Sequence, residues 1–223
     1  MAAAVLGARL HRFRTAPSVL ALLWYLSLGP LVIAVSIVLG IWRELPWMLW
    51  AAVPVGGIIG IVAVAFLGWS CSSFLDLHER GVVVGRSLLG GAPREMLFTE
   101  IHPASLRVFS SIDDIRPFRG ASRMISSDWN LAPGADLAVT FVGPDRRTGL
   151  GPIPRLPQPG RGIVIFSTPQ AQVLAEQLHR GVEAAGCPAH LVRWSRQFGV
   201  QKIRGIGGRT HAQIPGMHVD WHP

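Results

Sequence analysis

The residues of this chain that could do chemistry are few, and their spacing matches no catalytic motif. Cys71 and Cys187 stand alone, without the paired spacing of a zinc site. Asp113 and Asp114 are adjacent in sequence, which does not establish the facing geometry that a carboxylate pair needs for acid–base catalysis. Three histidines near the C-terminus lie in a basic segment that we expect to be a flexible tail, not a metal site. We therefore expect no enzymatic activity, no cofactor and no metal, and assign no catalytic residue.

The chemistry that the composition does favour is attraction to anionic surfaces. The 223 residues carry a formal net charge of +8, and residues 193–223 contain five basic residues and one acid. Each Lys or Arg close to an anionic leaflet contributes about 1 kcal/mol of binding free energy. Contact with a lipid surface or a protein partner therefore competes with simple solubility as the reason for this charge; without a recognisable nucleic-acid module, we expect no nucleic-acid partner. The candidate contact residues are Arg193, Arg196, Lys202, Arg204 and Arg209.

A long segment from Ser110 to Gly134 is a second candidate site. Loops of this length inside a compact domain are uncommon unless they are functional or disordered. This one carries both signs of charge and an aromatic residue, so it is the better candidate for a recognition loop than the Pro- and Gly-rich segment 143–160. A solvated insertion is the alternative that we favour slightly. The candidate recognition residues are Arg116, Arg119, Arg123 and Trp129.

Two apolar segments near the N-terminus must position everything that follows. No charged residue occurs from Thr15 to Trp42 or from Leu45 to Leu75. A helix of about 20 apolar residues crosses the hydrocarbon core of a bilayer. The sequence therefore predicts membrane-spanning helices over residues 19–42 and 47–69, joined by a four-residue turn into an antiparallel hairpin. We reject a signal peptide because the first segment is too long and a second follows at once.

The distribution of arginines predicts the orientation of this hairpin. Three arginines precede the first segment and Arg80 and Arg86 follow the second, whereas the connecting turn has one arginine offset by Glu44. Cytoplasmic loops carry an excess of basic residues, so both termini are predicted to be cytoplasmic. Twenty arginines beside one lysine, with abundant Ala, Gly and Pro, are typical of a high-GC bacterial genome. We expect a multi-pass protein of the bacterial plasma membrane, with the lipid bilayer as its first partner.

Gly56 and Gly60 are candidate helix-packing residues. Small residues four apart let two helix backbones approach closely. We favour packing within the hairpin over packing in a homodimer. No Asp, Glu, Lys, Arg or His lies inside either segment, which argues against a transporter or pump, because such residues mark ion and proton pathways.

Short alternating strands follow the hairpin. Residues 74–78 and 82–84 flank a turn at Glu79-Arg80-Gly81 and predict a β-hairpin. Further strands are predicted around residues 96–98, 106–109, 136–142 and 162–166. A helix from Pro169 to Val182, stopped by Gly186, follows the last strand. Strands joined by turns favour an antiparallel barrel or sandwich, capped by this one C-terminal helix.

At this point the chain resembles a family, the bacterial PH-like (pleckstrin-homology-like) membrane proteins. The resemblance rests on the two membrane helices, on the segment Leu75-Asp76-Leu77-His78-Glu79-Arg80-Gly81-Val82-Val83-Val84, on Met96-Leu97-Phe98-Thr99-Glu100-Ile101, and on the closing strand and helix. It covers roughly residues 74–185. It implies a bent antiparallel barrel capped by a C-terminal helix, with a binding or scaffolding role and no catalysis.

These expectations divide the chain into a basic N-terminus (1–18), a membrane hairpin (19–69), a mainly-β PH-like cytoplasmic domain (70–186) and a basic tail (187–223). The leading hypothesis is a membrane-anchored module that binds a membrane or cytoplasmic protein, or anionic lipid headgroups. The alternative is a small accessory subunit of a membrane complex, held through its hairpin and through Gly56 and Gly60.

Overall fold

Four α-helices of eight or more residues occur in the part of the chain that the structure, a computed structural model, describes, namely residues 5–88, 92–110, 127–144 and 161–202. The two long helices are α1 (Val19–Trp42) and α2 (Pro46–Cys71). Two shorter helices, α3 (Ala171–Ala184) and α4 (Ala189–Arg196), lie near the C-terminus. Both α1 and α2 are long and apolar enough to cross a membrane.

Nine strands form two sheets in the same described ranges. The first sheet has the order β1-β2-β3-β4, and the second has the order β6-β8-β7-β5-β9. The strands are β1 (Arg9–Arg14), β2 (Ser73–His78), β3 (Gly81–Arg86), β4 (Arg94–Leu97), β5 (Arg107–Ser110), β6 (Ser127–Asn130), β7 (Leu137–Pro144), β8 (Arg161–Ser167) and β9 (Val200–Lys202). The predicted hairpin around Glu79 is confirmed as the antiparallel pair β2–β3.

Strand β1 precedes the helical hairpin, yet it pairs with β2, which follows the hairpin. Phe13 lies opposite Leu75 in this antiparallel ladder, and both side chains are fully buried. The basic segment before α1 is therefore the edge strand of the first sheet, and the two helices are inserted between two neighbouring strands. This pairing holds the N-terminal end of α1 and the C-terminal end of α2 at one end of the domain.

Helices α1 and α2 pack against each other through glycines. A Cβ built on Gly29 of α1 would lie 2.9 Å from the carbonyl oxygen of Gly56 and 3.0 Å from the Cα of Gly60. The turn between the helices reverses tightly, with Glu44 in the left-handed region at φ 55°. Away from this seam the apolar side chains are exposed, including Leu20 at 79% and Trp50 at 86%.

One core lies between the two sheets and α3. Helix α3 is amphipathic, and Leu174, Leu178 and Val182 on its inner face are fully buried. Gly181 allows a close approach, because a Cβ there would lie 2.5 to 2.7 Å from ring atoms of Phe98. The helix ends before Gly186, which adopts a left-handed φ of 85° as predicted for a helix stop.

The structure departs from the sequence expectations in three respects. The sheets are open, and no ladder joins them within the described ranges, so the expected barrel does not close. The strands at three of the sheet edges, β4, β6 and β9, have only three or four residues each, which limits further pairing. A second helix, α4, follows α3, and strand β9 then adds to the second sheet in parallel with β5. Residues 187–202 are thus part of the fold and not of a tail.

Candidate functional site

The end of the domain from which both long helices leave is the candidate functional site. We call it the helix-proximal end and define it by Arg14, Ser73, Arg86, Leu137 and Lys202. The backbone N–H of Thr15 donates to the carbonyl of Ser73 at 3.2 Å, directly between the two helix ends. Arg86 lies opposite Ser73 in the β2–β3 ladder. The first sheet therefore contributes arginines from β1 and β3 to this end.

The second sheet reaches the same end through the connection between β6 and β7. The N–H of Ser18 donates to the carbonyl of Pro133 at 3.2 Å, while the Ser18 hydroxyl accepts from the N–H of Ala21 and caps α1. Gly134 adopts a left-handed φ of 65°, and a Cβ there would overlap the Ser18 hydroxyl. This close approach places Leu137, the first residue of β7, beside the start of α1.

Strand register brings two further chain positions to this end. Ser110, the last residue of β5, lies opposite Leu137 in one ladder and opposite Lys202 in the other. The N–H of Thr168, just before α3, donates to the carbonyl of Leu137 at 3.3 Å. The described segments that end at Ser110 and at Lys202 therefore both end at the helix-proximal end.

An arginine and a tryptophan are stacked where α2 joins the domain. The Arg86 guanidinium carbon lies 4.0 Å from the centroid of a Trp69 ring, which is a cation–π distance. Leu88 follows on an exposed turn, with 48% of its surface accessible. Tryptophan favours the headgroup region of a bilayer, and arginine hydrogen bonds well to phosphate. The pair suits a lipid–water boundary at this level of the molecule.

The basic residues predicted as contacts do not form one cluster. Arg196 of α4 forms ion pairs with two residues of α3, at 3.4 Å to Glu176 and 3.6 Å to Glu183. Arg193 is exposed on α4, where its Nε donates to the carbonyl of Ala189 at 3.4 Å. Lys202 is exposed in β9 at the helix-proximal end. Arg204 and Arg209 lie outside the described residues.

The other predicted residues fall partly outside the described ranges. Arg116, Arg119 and Arg123 are not described, and Trp129 is a residue of β6, opposite Ile165 of β8. Gly56 and Gly60 face Gly29 of α1. Because α1 covers this glycine face, the face is not available to another protein.

Sequence reasoning missed the ion pair that joins β1 to β2. The Arg12 Nε and Nη2 atoms donate to the two carboxylate oxygens of Asp76, each at 2.6 Å, and Arg9 adds a weaker contact at 3.7 Å. The hydrogen bonds to Asp76 raise the pKa of Arg12 above its usual value. Phe13 lies between polar residues, a pattern that indicates a strand. The partner strand β2, however, follows the whole hairpin in the chain.

The described residues contain no group of three or more His, Cys, Asp or Glu side chains that could hold a metal ion. Comparison with protein-family models, with curated proteins and with solved structures finds no match to this chain.

Proposed function

We propose that this chain is a non-enzymatic, membrane-anchored module of the PH-like kind, which binds a protein or anionic lipid headgroups at the cytoplasmic face of the bacterial plasma membrane. The observation that carries the proposal is the register at Ser110, which lies opposite Leu137 and Lys202 beside the start of α1. It puts Lys202, the described residue that precedes Arg204 and Arg209 in the chain, at the level at which α1 begins.

The exposed surface of α1 and α2 supports membrane anchoring. Large apolar side chains project from both helices along their whole length. Soluble monomers rarely expose contiguous apolar patches larger than a few hundred Å². A bilayer would cover this apolar surface, and an α-helix is the form in which an isolated segment pairs its backbone polar groups internally, as a lipid environment requires. A cleaved signal sequence does not fit, since β1 lies before α1 and belongs to the first sheet.

The arrangement of charge supports a cytoplasmic domain. Arg14 and Arg86 lie at the helix-proximal end, whereas Arg43 and Glu44 offset each other at the opposite end of the hairpin. The positive-inside rule places the more basic end in the cytoplasm. The bacterial assignment rests on composition, above all on the strong preference for arginine over lysine.

Residues beyond Lys202 support a contact at the membrane surface. Arg204 is two residues further along the chain, so it lies within about 7 Å of Lys202 even in a fully extended chain. Basic groups that lie close to an anionic leaflet gain binding free energy, and salt weakens this gain. A partner protein docked at the membrane surface would meet the same charges.

The PH-like character is supported by the order of elements. The antiparallel strands β2, β3 and β4, then a second sheet, then an amphipathic helix packed on the core follow one another in the order expected for that family. The chain adds β1 before the membrane helices, and α4 and β9 after α3. Two of these additions, β1 and β9, are edge strands of the two sheets.

The test is cross-linking and co-purification from native bacterial membranes with tagged full-length protein. It is run beside a variant that ends after Lys202 and a variant with Arg204→Gln and Arg209→Gln. Arg193→Gln is the matched control, since it removes one exposed charge from α4. Truncation at Lys202 keeps all the described elements, including α4 and β9.

We expect a defined partner, or binding to vesicles that contain phosphatidylglycerol, to be lost in the truncated and doubly substituted proteins and kept in Arg193→Gln. Equal capture and equal vesicle binding by all four proteins would contradict the proposal. Turnover in an unbiased substrate screen would contradict its non-enzymatic part.

A further inference from the structure

Arg107 is a buried cation at the start of β5. Only 4% of its surface is accessible. Its Nη1 donates to the carbonyl oxygens of Ala104 at 3.0 Å and Leu106 at 2.7 Å. The guanidinium carbon lies 4.8 Å from the Trp194 ring centroid and 4.1 Å from that of Phe198. Two carbonyls and two aromatic rings therefore hold the cation in place.

None of these contacts supplies a negative charge. The ion pairs found within the described ranges include none that involves Arg107. Charged side chains are almost never fully buried unless they are paired, because the loss of hydration is costly. Burial lowers the pKa of Arg107 to about 10, so the side chain remains a cation at neutral pH. Unless an anionic group neutralises this charge, its burial lowers the stability of the fold.

A cavity of about 180 Å³ lies beside Arg107, between β5, α3 and α4. His179 and Ser195 line it from the two helices, with His179 Nε2 2.8 Å from Ser195 Oγ. Burial, followed by the charges of Arg196 and Arg107, lowers the pKa of His179 to about 4. His179 is therefore neutral near pH 7 and can serve as a hydrogen-bonding group in the wall.

Two further charged residues face the cavity and nearly offset each other. Glu176 and Arg196 both line it and form an ion pair of 3.4 Å, and Glu176 is also bound by Arg180 at 3.1 Å. The described residues of the cavity wall thus include two cations and one anion, and Arg107 is the cation with no acidic partner among them. The balance of charge favours an anionic occupant.

We propose that this cavity binds a compact anion that carries a carboxylate or phosphate group, for which Arg107 supplies the countercharge. Arginine donates hydrogen bonds in a planar fork that suits both groups. Arg107 lies three strand residues from Ser110, which is about 10 Å from the helix-proximal end. This depth favours a soluble anion over a headgroup that remains in the bilayer.

The test measures thermal unfolding of the detergent-solubilised full-length protein against increasing inorganic phosphate or succinate, at constant ionic strength balanced with sodium chloride. Arg107→Met removes the charge and keeps the length of the side chain. Val200→Trp fills the cavity from a half-exposed position in β9 and leaves the contacts of Arg107 in place. Arg193→Met is the control, because it removes an exposed arginine of α4 that does not line the cavity. A parallel arm uses nanodiscs with and without phosphatidylglycerol, in buffer without phosphate or succinate.

We expect a saturable rise in Tm of about 5 °C for the native protein and for Arg193→Met with at least one soluble anion. Arg107→Met and Val200→Trp should weaken the apparent affinity by about 10- to 100-fold. If Arg107→Met does not fold, Val200→Trp decides the outcome. A stabilisation that depends on Arg107 and occurs only in phosphatidylglycerol nanodiscs would identify the anion as a lipid headgroup. Equal responses of the native protein and both cavity variants, or no saturable response in any arm, would overturn the proposal.

Discussion

Arg12 and Asp76 form a two-pronged ion pair between the strand that precedes the first long helix and the strand that follows the second. The two residues are 64 positions apart in the chain, and the whole helical hairpin lies between them. The Asp76 side chain is only 8% exposed, whereas that of Arg12 is 35% exposed. Together with the pairing of Phe13 and Leu75, this ion pair fixes both long helices to one sheet.

Loss of the Arg12 charge should destabilise the domain. Arg12→Met leaves the buried Asp76 carboxylate with only the longer contact to Arg9. Removing one partner of a hydrogen-bonded charge pair costs about 2 kcal/mol when the pair is partly exposed. We expect Tm to fall by about 4–8 °C in thermal unfolding of the solubilised protein. The control is Arg14→Met, which removes an exposed arginine from the same strand. Equal losses in the two variants would show that the pair contributes nothing specific.

Stability should depend on pH through His179. Its pKa is lowered to about 4 in the folded protein by burial and by Arg196 and Arg107, against about 6.5 when exposed. The unfolded state therefore binds more protons between pH 6.5 and 4, and the folded state loses stability as pH falls through this window. The loss amounts to about 2–3 kcal/mol at pH 4.

His179→Gln should flatten this dependence while keeping a hydrogen-bonding group toward Ser195. The measurement is the free energy of unfolding at pH 7, 5.5 and 4.5, compared between variant and native protein. His190→Gln, at an exposed histidine on α4, should leave the difference between pH 7 and pH 4.5 as it is in the native protein. An unchanged slope in His179→Gln would refute the assignment.

Much of the fold follows from local patterns, whereas the candidate sites depend on distant contacts. The apolar segments from Val19 to Cys71 and the alternation around Glu79 predict helices and strands because each pattern is contained in one element. Strand β1 is different: its arginines match the basic flank of a membrane helix, and its partner β2 lies beyond the hairpin. The surroundings of Arg107 could not be predicted, since Trp194 and His179 reach it only through the packing of α3 and α4.

Substitutions at the neighbouring glycines Gly56 and Gly57 should differ in their effect on the packing of α1 against α2. A Cβ on Gly56 would overlap the Ile33 side chain and lie 2.9 Å from the carbonyl oxygen of Gly29, whereas a Cβ on Gly57 meets no atom within 4 Å. Gly56→Leu should therefore separate the helices and destabilise the hairpin by about 1–3 kcal/mol, as overpacking does. Gly57→Leu should be tolerated. Thermal unfolding in detergent and distances between spin labels on α1 and α2 measure both effects. Similar behaviour of the two variants would contradict the packing described for α1 and α2.

The most direct test of the membrane-anchored arrangement is thiol labelling with a membrane-impermeant maleimide in intact bacterial cells. The background carries Cys71→Ser and Cys187→Ala, and receives either Glu44→Cys in the turn between the helices or Glu79→Cys in the β2–β3 turn. We expect Glu44→Cys to be labelled in intact cells, and Glu79→Cys to be labelled only after the membrane is opened. Labelling of both positions from the same side would contradict the account.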